Sequence, residues 1–132
     1  MKTLTTQIKT AVVAKLVFDS FKDSPSVATR AAGSGTRQLL YQYGNFSIDM
    51  QLQPKPRSNR MLLMGQVLDS EKPVEGLGAI PVTLLDQESA ISETTTNRFG
   101  EFNLNFESKN DLRVFLDMKN ALVVSLPNSQ VD

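Results

Sequence analysis

The chain has 132 residues, with 14 basic and 14 acidic side chains, no histidine and no cysteine. That length is one domain with room for a sizeable core, and a net charge of zero supplies no global field to recruit nucleic acid or an anionic membrane. Lacking imidazole and thiol, the chain cannot build a Ser-His-Asp triad, a His-ligated zinc site, a disulfide or a thiolate nucleophile.

The N-terminal stretch "MKTLTTQIKTAVVAKLVF" places two lysines before an apolar patch, as a secretory signal does. Lys15 interrupts that patch, however, no small-x-small cleavage site follows closely, and no apolar run reaches the length of a membrane span. The expectation is a mature soluble chain, with the cytoplasm favoured. Residues 8–21 carry two periodicities. Ile8, Val12 and Leu16 recur at helical spacing, while Val12, Ala14, Leu16 and Phe18 line one face of a strand with Lys15 and Asp19 opposite. The β-branched and aromatic content favours the strand. "KDSPSVATRAAGSG" has no periodicity and reads as a flexible linker, and its glycines lack the lysine and the strand-to-helix setting of a phosphate-binding loop. Residues 1–35 are therefore expected to be an N-terminal arm and linker, and residues 36–132 a β-sandwich.

Leu39, Tyr41 and Tyr43 alternate, and beyond Gly44-Asn45 so do Phe46, Ile48, Met50 and Leu52. Gly44-Asn45 marks either a two-residue hairpin turn or a bulge in one long strand. "PKPRSN" punctuates with two prolines. "RMLLMGQVLD" is apolar on both faces, as in a central strand covered on both sides. "IPVTLLD" is a strand whose Pro81 calls for an edge or a bulge at that position. After the short turn "QES" and the strand "AISETTTN", the stretch "TNRFGEF" combines an Asn suited to start a type I turn with Gly100, suited to the positive φ of a closing G1 bulge. Phe102, Leu104 and Phe106 then alternate with Glu101, Asn103, Asn105 and Glu107. "LRVFLDM" and "ALVVSLP" complete seven short strands after residue 45, the pattern of an all-β antiparallel sandwich. Charge is divided along the chain. Through Gln66 there are nine Lys/Arg against three Asp/Glu, and beyond it five against eleven, or +6 and −6. Two interleaved halves would attract weakly through solvent; a dipolar surface would favour self-association.

Gly65-Gln66-Val67-Leu68-Asp69, then Leu77-Gly78-Ala79-Ile80-Pro81-Val82-Thr83-Leu84, then Thr96-Asn97-Arg98-Phe99-Gly100-Glu101-Phe102 form an ordered set of motifs over about a third of the chain. This stretch resembles the carboxypeptidase regulatory-like domain, and the resemblance implies a transthyretin-like sandwich of seven or slightly more strands, with an N-terminal arm. The family's Pro-Gly-x-Tyr turn and Gly-Tyr pair are replaced here by "NDLRVFLDM". More narrowly, "LVFDSF", "RQLLY", "GQVLD" and "TNRFGEF" resemble a group of uncharacterised bacterial proteins, some of which carry a small zinc-binding, anti-sigma-type domain ahead of the sandwich. With neither Cys nor His, this chain is expected to be a free-standing relative or an excised fragment. Transthyretin-like hydrolases rely on histidines that are absent here, so the expectation is a non-enzyme without cofactor or metal.

Asp69 could join Asp86 and Glu88 around a cation, but calcium-loop spacing is missing and a turn-capping role is the simpler expectation. Lys55, Arg57 and Arg60 could hold a phosphate or an acidic partner, or could simply guard a solvated hairpin loop. Tyr41 and Tyr43 could form a sugar-stacking platform, or sit half-buried with wet hydroxyls. Phe99, apolar at the tip of a tight turn, either folds back over its hairpin or meets a partner. Two functions follow: an interaction or structural module within a bacterial regulatory assembly, dimerising by arm exchange or contacting another protein, and, as the alternative, a small-ligand or carbohydrate-binding module. Neither nucleic acid nor membrane is an expected partner.

Overall fold

A computed structural model describes residues 10–23, 35–72 and 77–128. Its strands are Val12–Val13 (β1), Lys15–Asp19 (β2), Arg37–Tyr43 (β3), Phe46–Pro54 (β4), Arg60–Asp69 (β5), Pro81–Asp86 (β6), Ser89–Thr95 (β7), Glu101–Glu107 (β8), Leu112–Leu116 (β9) and Leu122–Ser125 (β10). A one-turn helix, Ser20–Asp23 (α1), follows β2. The strands form two five-stranded sheets, ordered β1-β10-β9-β6-β7 (sheet I) and β2-β3-β4-β5-β8 (sheet II). The chain is therefore an all-β sandwich, and the seven strands expected after residue 45 are β4 to β10. Every pairing is antiparallel except β1 with β10, which is parallel.

Period-two patterning drives this assembly. Along β8, Phe102, Leu104 and Phe106 are buried while the residues between them are exposed. Leu39, Ile48, Met50 and Leu63 of sheet II meet Val82, Leu84, Val114 and Leu122 of sheet I in one core, each burial stabilising by about 1.5–3 kcal/mol. Sheet I also buries Leu85 and Phe115 on its outward side, with Ala11 and Ala121 packed against them. Among the described residues no helix is long and apolar enough to cross a membrane.

The N-terminal segment belongs to the sandwich and supplies an edge to both sheets. Val12 and Val13 pair with Leu122 and Val123, the buried Ala14 bonds Val123 O at 3.0 Å, and the chain then crosses to pair β2 with β3. The described part of the expected arm is thus mainly strand, with the one-turn α1, rather than free extension; Ile8 and residues 24–34 of the linker lie outside the described residues. One detail reverses the expected facing of side chains. A bulge at Val17 shifts the register between Leu16↔Tyr41 and Phe18↔Leu40. Phe18 turns outward beside Leu40, and Asp19 turns inward and is buried.

Gly44-Asn45 is a two-residue hairpin turn, with Tyr43 opposite Phe46. Positive φ occurs at Gly44 (58°) and not at Asn45, the type II′ pattern in which glycine avoids a Cβ clash. β5 is central in its sheet as expected, but only one of its faces is covered. Leu62 and Met64 are half-buried on the outer side and Leu68 is exposed, because a two-layer sandwich has no third layer to cover them. Pro81 is the first residue of the central strand β6, where its missing N–H costs no ladder bond. The "TNRFGEF" turn does not close a hairpin within one sheet: β7 is the edge of sheet I and β8 the edge of sheet II. The charge halves largely follow the sheets. The basic half builds β2 to β5 and the acidic half most of sheet I, with β1 and β8 exchanged between them.

Candidate functional site

The two tyrosines of β3 do not form an open platform. Tyr41 is 1% exposed and its hydroxyl donates to Ser125 O at 2.7 Å. Burial, helped by the nearby Asp19 charge, pushes that hydroxyl well above the ordinary tyrosine range. Tyr43, two residues on, is 39% exposed because it stands at the rim of the same inward face. A sugar ring could reach Tyr43 but not Tyr41.

Lys55 and Arg57 lie on the β4–β5 connection and Arg60 opens β5, all exposed. Lys55 N–H bonds Arg60 O at 2.9 Å, Ser58 Oγ donates to Lys55 O at 3.2 Å, and Arg57 adopts a φ of 59°. The loop is closed by its own backbone and guards its hairpin with charge. Asp69 is a turn cap, accepting from Asn45 Nδ2 at 2.5 Å and Glu71 N–H at 2.9 Å; the Asn45 bond is the main cause holding its carboxyl below the usual range. It sits beside the Gly44–Asn45 turn, whereas Asp86 ends β6 opposite Leu112 and pairs with Lys109 at 3.4 Å. These carboxylates are not brought together, and among the described residues no group of three His, Cys, Asp or Glu could hold a metal.

The turn that carries Phe99 is pinned at nearly every other position. Asn97 Oδ1 accepts from Phe99 N–H at 2.9 Å and Glu101 N–H at 3.0 Å, and Asn97 Nδ2 donates to Glu101 Oε1 at 2.9 Å. Gly100 N–H closes the turn on Asn97 O at 3.0 Å, and Gly100 O accepts from Val67 N–H at 2.9 Å. Gly100 has the expected positive φ, 77°, and a Cβ there would lie 2.4 Å from Val67 O. Gln66 Nε2 donates to Phe99 O at 3.1 Å. Just before the turn, Thr96 Oγ1 donates to Leu77 O at 2.6 Å and accepts from Ile80 N–H at 2.9 Å. The backbone is fixed, yet the Phe99 ring is 56% exposed, with the Arg98 guanidinium 4.8 Å from the ring centre. Of the two expected placements of Phe99, the outward one is observed.

At the opposite end the structure assembles a group that sequence pattern did not expose. Arg37 Nη2 and Nε bond the two carboxylate oxygens of Asp19 at 2.6 and 2.9 Å, and both side chains are buried. Arg37 Nη1 also donates to Asn128 O at 3.2 Å, and the guanidinium lies 4.7 Å from the centre of the Phe21 ring. Edge strand, α1, β3 and the C-terminal segment are thus joined at one cation. The available signal was parity: Arg37 shares the inward phase of Leu39 and Tyr41. Its partner was concealed by the bulge at Val17. Beside Arg37 the sheets part around a cavity of about 360 Å³, lined by side chains from both sheets, among them Arg60. Lys55 and Arg57 do not line it.

No family model, no curated protein and no solved structure matches this chain.

Proposed function

We propose that the chain is a non-catalytic interaction module, a transthyretin-like sandwich related to the carboxypeptidase regulatory-like domains, which engages a protein partner through Phe99. Support for the relationship lies in how its motif residues meet. Gly65 is opposite Phe102 in register, Val67 holds Gly100, Thr96 clasps Leu77 and Ile80, and Gly78 lies against the Asn97–Arg98 backbone. Motif pieces separated in sequence act as one clamp on the crossing from sheet I to sheet II.

The observation that carries the functional reading is the exposed ring on a rigid turn. A pinned backbone loses little conformational entropy on binding, and Phe and Arg are both residue types enriched at interfaces. Inside its own chain the ring gains little. The described arm strands pair in cis, so the Phe99 turn carries the proposal instead of arm exchange. A photo-crosslinking residue placed at position 99 in source cells should capture one discrete protein, with Ile91, also exposed, as the control position. Phe99→Ala should leave thermal stability within about 0.5 kcal/mol and abolish competition for the captured partner. Equal capture patterns at 99 and 91 would sink the proposal.

A further inference from the structure

We infer that the cavity between the sheets is a binding site for a medium-chain, straight-chain carboxylate, its tail between the sheets and its head at Arg60 and Lys109. The cavity is lined by apolar side chains from both sheets, including Leu52, Met61 and Phe106 from sheet II and Leu112 from sheet I, with Leu126 just beyond β10. Three cationic side chains share that lining, Arg37, Arg60 and Lys109, and no carboxylate does among the described residues. Arg37 is already matched by Asp19. Among the described residues Lys109 is held only by an exposed contact to Asp86, a type of pair that contributes little. The Arg60 guanidinium has no hydrogen-bond or ion-pair partner among the described residues.

An apolar concavity with a few converging polar groups is where a small ligand binds by default, and an excess of cations at its rim selects an anion. A space of about 360 Å³ is far more than the roughly 10–15 Å³ that holds one water, so it has room for a chain as well as a head group. A saturated carboxylate such as decanoate meets both conditions: an apolar tail and a single negative head. The site lies at the far end of the sandwich from Phe99 and is independent of the protein partner proposed above.

The test is a methyl-resolved NMR titration of the full chain with decanoate below its micelle concentration, with decan-1-ol and decyltrimethylammonium as parallel arms. Decanoate should move the methyl signals of Leu52, Met61, Leu112 and Leu126 in a saturable way, decanol more weakly, and the cation not at all. R60Q/K109Q, both changes being at the rim, should weaken decanoate binding roughly fivefold to tenfold and leave the decanol titration unchanged. Unmoved methyls would overturn the inference. So would equal binding of acid and alcohol, or a charge-removed variant that binds decanoate as well as the parent.

Discussion

Replacing Asp19 by Asn removes the countercharge of a buried arginine and little else. In the native chain the carboxylate takes two charge-assisted bonds from Arg37, at 2.6 and 2.9 Å, with both groups out of water. Breaking such a pair from one side costs about 3–5 kcal/mol, because the remaining charge stays buried. Arg37 keeps the Asn128 carbonyl and the Phe21 ring, which places Asp19→Asn near the lower figure, about 3 kcal/mol. For a chain of this size that is about 10–15 °C in Tm, or roughly 1.5 M in urea midpoint at a slope of about 2 kcal/mol/M. Removing both charges, as Asp19→Leu with Arg37→Met, should recover most of the loss, since a buried pair exchanged for apolar groups is near neutral. The pH dependence supplies an independent check. Burial pushes the Asp19 carboxyl up, but the Arg37 hydrogen bonds, the Phe21 amide and the Arg37 and Lys22 charges outweigh it and hold the group below its ordinary 3.8. A folded value below the unfolded one stabilises above about pH 4, and that contribution is lost as pH falls through the folded value. Urea denaturation between pH 7 and 2 should therefore show a flatter acid limb for Asp19→Asn than for the parent. A loss under about 1 kcal/mol at pH 7, or superimposable acid limbs, would refute the account.

Gly100→Ala should cost at least about 2 kcal/mol, since it combines a φ of 77° with a Cβ 2.4 Å from Val67 O; scanning calorimetry showing less than half of that would mean the turn is not docked on β5. In Gly65→Ala the new Cβ would lie 2.3 Å from Phe102 Cζ, so overpacking should destabilise by about 1–3 kcal/mol. That loss should shrink by about 1 kcal/mol in a Phe102→Leu background, and additive losses would exclude the contact. Thr96→Val keeps the shape but strands the Leu77 carbonyl and the Ile80 N–H, at about 1–3 kcal/mol, and hydrogen exchange should show the Ile80 amide among the most accelerated.

What the pattern of residues revealed, it revealed through period two and through turn chemistry. Phe102, Leu104 and Phe106 alternate because one face of β8 meets the core and the other meets water. Gly100 announces a positive φ because, lacking a Cβ, it takes one at no steric cost. The failures have equally local causes. Alternation assigns faces only while the register holds, and the single extra residue at Val17 inverted Phe18 and Asp19. Tyr41 and Tyr43 share parity, but parity is silent on where a strand leaves the core, so one ring is buried and the other stands at the rim. The double-sided apolarity of β5 suggested a covered strand, while the outer Leu62, Met64 and Leu68 lie on a face without a covering layer.

The candidate site was the least legible part, and the fold explains why. The motif residues Gly65, Val67, Leu77, Thr96, Gly100 and Phe102 contact one another across the passage from sheet I to sheet II, so their identities are set by the clamp they form. A resemblance built on them reports architecture. At position 99 the clamp uses the amide and the carbonyl and leaves the ring exposed beside the Arg98 guanidinium. The same holds at the other end. Arg60 closes its hairpin through backbone atoms and leaves its guanidinium at the mouth of the cavity. At both proposed contacts the backbone does the structural work and the side chain is released from it, so patterns that report the sandwich do not report a function.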